Sequence, residues 1–344
     1  MLDFYYQYNL SYFFCIAIVL AGLIYVQVRR SSRLPVTLHP FSKEETLPVR
    51  GVLALLVIIC HICAARPEIG NFAWELGLYI GGPAVGLFFF MSGYGLTVSA
   101  KNKGQKYVTS FLRKDLRKLV PPLLLVALLS LAIFWPIKGQ SYIGELTRGG
   151  RLYPPTDYSW FVYVLLIFYV AFYVVYRFLR KTPQAIRLAA LLLVTGALYW
   201  YLREKEYEDF WYRSLFAFNV GNLYASYKTL VKAYITRHKA GVLLILLGVL
   251  GALAALKTKT LAYTFMPLAG VAFVLVFGGG KNSKVLNFLG RISYETYLMH
   301  GIFVPLYHSI DSLDWFGLFL AVEASTLPTA WLLHRLQLKI QKSK

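Results

Sequence analysis

Apolar residues along this chain come in runs of about 17 to 22, parted by short polar stretches, and that is the length an α-helix needs to cross roughly 30 Å of hydrocarbon. The runs predict helices near residues 10–28, 47–65, 78–98, 119–137 and 160–176, then near 188–201, 214–227, 240–256, 261–278, 285–308 and 315–334. The two short runs at 188–201 and 214–227 decide between eleven helices and ten. Composition agrees that lipid is the solvent. Of 344 residues, 58% are hydrophobic and 15% charged, whereas about a quarter of a soluble domain is charged. The expected fold is an all-α, polytopic transmembrane helix bundle forming a single membrane domain over 1–344.

A formal net charge of +20 would suit a nucleic-acid partner, but the position of the charge changes that reading. Assigning alternate loops to the two faces of a membrane puts 27 of the 36 Lys and Arg residues on one face. That face holds the run from Lys101 to Lys118, the cluster from Arg177 to Arg187 and the tail from Arg335. Positive loops stay in the cytoplasm, so the N-terminus is expected outside, the C-terminus inside, and the chain in a cell (inner or plasma) membrane with lipids, not nucleic acid, around it. The first fourteen residues lack the basic region of a signal peptide, so the run at 10–28 is expected to be retained. Cys15, Cys60 and Cys63 all fall inside apolar runs and imply no disulfide framework.

Ionisable residues in hydrocarbon are costly, which makes each one a candidate for function. The second run reads RGVLALLVIICH, with Arg50 and His61 eleven residues apart. That spacing is close to three full turns, so the two share a helix face, roughly 16 Å apart along the axis. Arg50 falls at the basic end and His61 deep in the bilayer, where a neutral imidazole can accept a proton. A snorkelling interface anchor and a helix-packing histidine would show the same pattern. Cys60 and Cys63 flank His61, but without a second ligand pair they read as packing residues and no metal is expected.

The third run, GGPAVGLFFFMSGYGL, carries small residues for close backbone approach together with the hydroxyls of Ser92 and Tyr94. After it comes KNKGQKYVTSFLRKDLRKLVPP, in which Arg113 and Arg117 stand four apart and could grip a phosphate bidentately, with Lys118 beside them. A soluble polyanion and lipid headgroups fit that segment equally well. In the tenth run Ser293, Tyr297, His300 and Tyr307 form a polar stripe that must face other helices or a water-filled cavity. Arg291 and Glu295, at i and i+4, are expected to pair locally. The loop before Trp160 is rich in Tyr, Gly and Pro, and its aromatics suit either an interfacial belt or stacking on sugar rings.

These pieces together resemble the membrane-bound acyltransferase 3 family of bacterial glycan O-acetyltransferases. The resemblance lies in Arg50, Gly51 and His61 as an Arg-x10-His helix, in FFFMSGYGL, in FLRKDLRKLVPP, in SWFVYVLLIFY, and in LGRISYETYLMH as a closing SYxxYLxH signature. It implies a ten-helix core over 47–336, with 1–46 an additional N-terminal helix and cytoplasmic loop. It also implies an acyl-CoA co-substrate, acetyl-CoA by default, used from the cytoplasm without a permanently bound cofactor. The acyl group would pass to a hydroxyl acceptor, usually an envelope or exported glycan. Carried onto this sequence, His61 would be the general base or transient acyl acceptor. Arg50, Arg113, Arg117 and Lys118 would hold the donor, while Ser92, Tyr94, Trp160, Ser293, Tyr297 and His300 would line the site. Residues 160–176 contain no carboxylate to orient His61, although many relatives carry a Glu there. A multi-pass transporter or flippase of a glycan, lipid-linked or anionic substrate is the competing reading, but no inverted repeat is evident.

Overall fold

The computed structural model of the protein describes residues 43–66, 72–156, 158–237, 284–308, 310 and 313–342. The helices expected at 10–28, 240–256 and 261–278 lie outside the described residues. Among these, the longer elements are all α-helices: α1 (Lys43–Ala65), α2 (Phe72–Lys138), α3 (Gln140–Leu146), α4 (Trp160–Phe178) and α5 (Gln184–Glu204), followed by α6 (Phe216–Arg237), α7 (Lys284–Arg291), α8 (Ser293–His308) and α9 (Trp315–Lys342). Five of them contain segments long and apolar enough to cross a bilayer: Thr46–Ala65, Ile80–Lys138, Trp160–Phe178, Gln184–Glu204 and Trp315–Gln341.

The expected runs 78–98 and 119–137 are the two limbs of α2, and the basic segment between them is itself helical. Only Gly104 interrupts it, with φ 61° and ψ −154°, a conformation that a residue without a Cβ adopts at little cost. The chain turns back there. Gly82, early in the first limb, accepts a hydrogen bond from Ser214, and Ser130, late in the second, donates to the Pro155 carbonyl. Both of those partners lie in connections at one end of the bundle. Lys101 and Gln105, either side of Gly104, instead reach Ser226 and Tyr176 near the other, basic end. The run expected at 285–308 divides at Ile292 into α7 and α8.

Packing is tightest where the first limb of α2 meets α6. A Cβ added to Gly93 would collide with the Phe218 carbonyl, and one added to Gly221 would collide with the Phe90 carbonyl. The two glycines thus let the backbones touch, as small residues do between membrane helices. Thr97 Oγ1 then donates to Asn222 Oδ1 at 2.6 Å, and Asn222 Nδ2 donates to the Phe218 carbonyl at 2.7 Å, both in the buried interior. Phe218 stacks on Phe168 of α4 with ring centroids 4.5 Å apart, and Phe89 lies 4.6 Å from Phe161. Apolar residues facing away from this core, such as Leu192, Leu193 and Trp200 of α5, remain exposed for lipid.

Gly93→Ala and Gly221→Ala should each destabilise the bundle by about 1–3 kcal/mol through overpacking. Gly196→Ala, where an added Cβ meets nothing within 4 Å, should be neutral or stabilising by up to about 1 kcal/mol. Thermal midpoints of the purified proteins in nanodiscs check this contrast.

Candidate functional site

A cavity of about 800 Å³ opens at the basic end between α1, both limbs of α2, α4 and α8. Its mouth is lined by Lys103, Lys106, Lys114 and Lys118, all solvent-exposed. Farther in stand Arg50, Ser92, Tyr169, Ser293 and Tyr294, and then Phe88, Phe161 and Tyr297. The helical basic segment explains the mouth. Lys106, Ser110, Lys114 and Lys118 recur every four residues and share one stripe, which turns toward the cavity. Tyr294 Oη donates to the Leu119 carbonyl at 2.7 Å, and Gln337 Nε2 donates to the Lys118 carbonyl, fastening α8 and α9 to this stripe.

Of the residues the sequence singled out, Arg50, Ser92, Lys118, Ser293 and Tyr297 line the cavity. Ser92 Oγ donates back to the Phe88 carbonyl at 2.8 Å. Arg113 and Arg117 are exposed on the same helix but are not in the cavity wall. Each precedes a cavity-facing lysine by one position, a rotation of about 100°. Tyr94 packs on Phe90 and Tyr224, and Trp160 packs on Phe210 and Trp211 at the end remote from the basic mouth. Neither reaches the cavity.

Beyond the cavity's inner end the rings continue as a layer. Tyr297 lies 5.5 Å from Phe161 on the cavity side and 5.3 Å from His300 on the other. His300 stacks on His61 at 5.2 Å with planes 25° apart. Tyr158, from the connection between α3 and α4, lies 3.8 Å from the His61 ring and 5.3 Å from the His300 ring. Tyr297 Oη also donates to the Tyr158 carbonyl. His300 is 0% exposed, and among the described residues neither of its ring nitrogens makes a hydrogen bond of good geometry; Thr296 Oγ1, one turn away on α8, is likewise buried and unpartnered there. Such groups are expensive unless a ligand or water satisfies them. The positive charge of Arg213, on the connection between α5 and α6, acts electrostatically on both His61 and Cys60.

The expected local pair of Arg291 with Glu295 is replaced by a tertiary one. Glu295 is 2% exposed and its Oε1 lies 2.8 Å from His334 Nδ1 of α9, while Arg291 stays in solvent. A buried carboxylate gains more from a partner that shares its burial than from a long side chain that water already solvates. Cys60 Sγ donates to the Leu78 carbonyl at 3.0 Å, and Cys60 and Cys63, in no disulfide among the described residues, pack beside Gly81 and Gly77 of α2.

Residues 49–335 match the acyltransferase 3 family, described as an acyltransferase domain. The chain belongs to that family. It is a membrane protein and an acyltransferase, with an acyl donor and an acceptor to accommodate. No significant match appears among curated proteins or solved structures. For an acyltransferase 3 protein the sequence left Tyr158 and Arg213 unremarked, and of the lysine stripe it marked Lys118 alone. Tyr158 sits in a loop without a helical pattern, Arg213 sits in another, and the lysine stripe is hidden inside a run of mixed cations. Four-residue spacing was the one available signal, and it marks Lys106, Lys114 and Lys118 as well as Arg113 and Arg117.

Glu295→Ala should cost this acyltransferase about 1–3 kcal/mol by stranding His334 and removing a buried hydrogen bond. Arg291→Ala should change stability by less than about 0.5 kcal/mol. Chemical or thermal unfolding in nanodiscs distinguishes the two, and a larger loss for Arg291→Ala would restore the local pair.

Proposed function

We propose that this acyltransferase takes its acyl group from acyl-CoA at the basic end, which faces the cytoplasm, and delivers it to a hydroxyl of an envelope or exported glycan. The observation that carries the reading is the cavity itself. It has a lysine-lined mouth, Arg50 inside, a wall of serine and tyrosine hydroxyls, and an inner end of rings with His61 beyond them. A CoA thioester has the matching order of chemistry, with phosphates at one end, a narrow amide-bearing arm and a reactive carbonyl at the other. The lysines act on the phosphates as point charges, and Arg113 and Arg117 add to the field from the rim. Arg50 meets charge deeper in, where lower dielectric strengthens its effect. Ser92 and Ser293 offer hydrogen bonds to the arm.

At the reacting end, His61 takes the proton of the acceptor hydroxyl as its oxygen attacks the thioester carbonyl. The carbon–sulfur bond breaks, the departing sulfur receives the proton from His61, and ester and CoA thiol are the products. An acyl group held briefly on His61 would give the same balance in two steps. His300 stacks on His61, and its ring nitrogens, which make no well-formed hydrogen bond among the described residues, are available to the reacting groups. The excess of basic residues on the donor side fits a cytoplasmic orientation of that end, in a plasma or inner membrane.

Acetyl-CoA binding to the purified protein in nanodiscs tests the donor half without any guess about the acceptor. Saturable, salt-sensitive binding is expected. Lys106→Glu with Lys114→Glu should weaken it by at least about tenfold, or 1.4 kcal/mol, and Arg113→Ala with Arg117→Ala by a smaller factor. His61→Ala should bind acetyl-CoA normally and transfer nothing. Absence of binding by well-folded protein would refute the donor assignment.

A further inference from the structure

We infer that Tyr158 is a positioning residue for the transfer, holding the His61 imidazole with its ring face. The inference rests on the proposed role of His61. Three separate elements converge on that imidazole: α1 carries it, α8 brings His300 to one contact, and the α3–α4 connection brings Tyr158 to another. At 3.8 Å between centroids and 30° between planes, Tyr158 lies closer than the usual range of aromatic pairs, about 4.5–7 Å. A flat ring at that separation blocks rotation of the imidazole about its χ2 bond. Among the described residues, ring faces rather than hydrogen bonds set the orientation of His61.

Tyr158 is itself fixed from both sides. Its carbonyl accepts from Tyr297 Oη, so it is tied to a ring of the cavity wall. Ser159 Oγ donates to the Thr156 carbonyl at 2.9 Å, and the Pro155 carbonyl accepts from Ser130 Oγ at 2.6 Å and Tyr142 Oη at 2.5 Å. Thr156 closes against Gly301, where an added Cβ would lie 3.4 Å from the threonine Cβ. Anchoring of this density on a connecting loop fits a side chain whose placement matters. Misplacing a reacting group by about 1 Å can cost on the order of a hundredfold in rate.

Tyr158→Ala, Tyr158→Leu and Tyr158→Phe, prepared in nanodiscs, test the assignment with three readouts. These are acetyl-CoA affinity, the rate of CoA thiol release from acetyl-CoA with water as acceptor, and the rate at which diethylpyrocarbonate modifies His61, followed by peptide mass. The alanine variant should keep acetyl-CoA affinity within about twofold, release CoA at least about tenfold more slowly, and expose His61 to faster modification. The phenylalanine variant, which keeps the flat face, should restore both rates. If the alanine variant fails to bind acetyl-CoA, the leucine variant takes its place as the bulky side chain without a flat face. Wild-type modification of His61 in the alanine and leucine variants, or a phenylalanine variant as impaired as alanine, would overturn the assignment. Failure of the unmutated protein to bind acetyl-CoA would instead sink the donor reading, and the modification rates would still judge Tyr158.

Discussion

Hydrocarbon can neither hydrogen-bond a peptide group nor solvate a charge, so polar side chains on these helices are stable only where other helices or water surround them. That constraint sorts the whole bundle. On α4, Phe168 and Phe172 turn inward while Val170 and Val174 are left exposed. On α8 Ser293, Glu295, Thr296, Tyr297 and His300 are buried. Excluded from the lipid face, the polar groups lie between helices, in the cavity at the basic end, in the histidine layer beyond it and in pairs such as Thr97 with Asn222.

The fold-back at Gly104 shapes the basic mouth of the cavity. It lays a helical basic segment across the mouth, so cations that would otherwise serve only topology and lipid headgroups face the same space as Arg50. The first limb can sit deep enough because Gly93 and Gly221 remove the side chains that would hold α2 away from α6. Ser92, the neighbour of Gly93, then faces the cavity. Packing and site geometry are set by the same short segment.

The histidine layer carries a cost in stability. His300 and Thr296 are buried, with side-chain atoms unpartnered among the described residues, and an apolar residue at either position would remove that cost. Glu295, by contrast, has found His334 and belongs to the structural fastening of α8 to α9. Glu295 Oε1 thus fastens α8 to α9, while its Oε2, like Thr296 Oγ1 and the His300 nitrogens, is buried without a partner among the described residues.

Sequence periodicity determined the class of fold, because runs of about 20 apolar residues have few other stable outcomes. It also placed Arg50 and His61 on one helix face, since an eleven-residue spacing fixes their relative azimuth whatever packs around them. The family resemblance over 49–335 added the chemistry. What periodicity leaves free is the rotation of each helix about its axis and the course of the loops, and tertiary packing decided both. One residue of rotation separates Arg113 and Arg117 on the rim from Lys114 and Lys118 in the wall. A loop fastened at Pro155 and by Tyr297 brought Tyr158 to His61, and a long-range partner took Glu295 from Arg291. Each of these depends on contacts between segments distant in the chain, and the local order of residues carries no record of them.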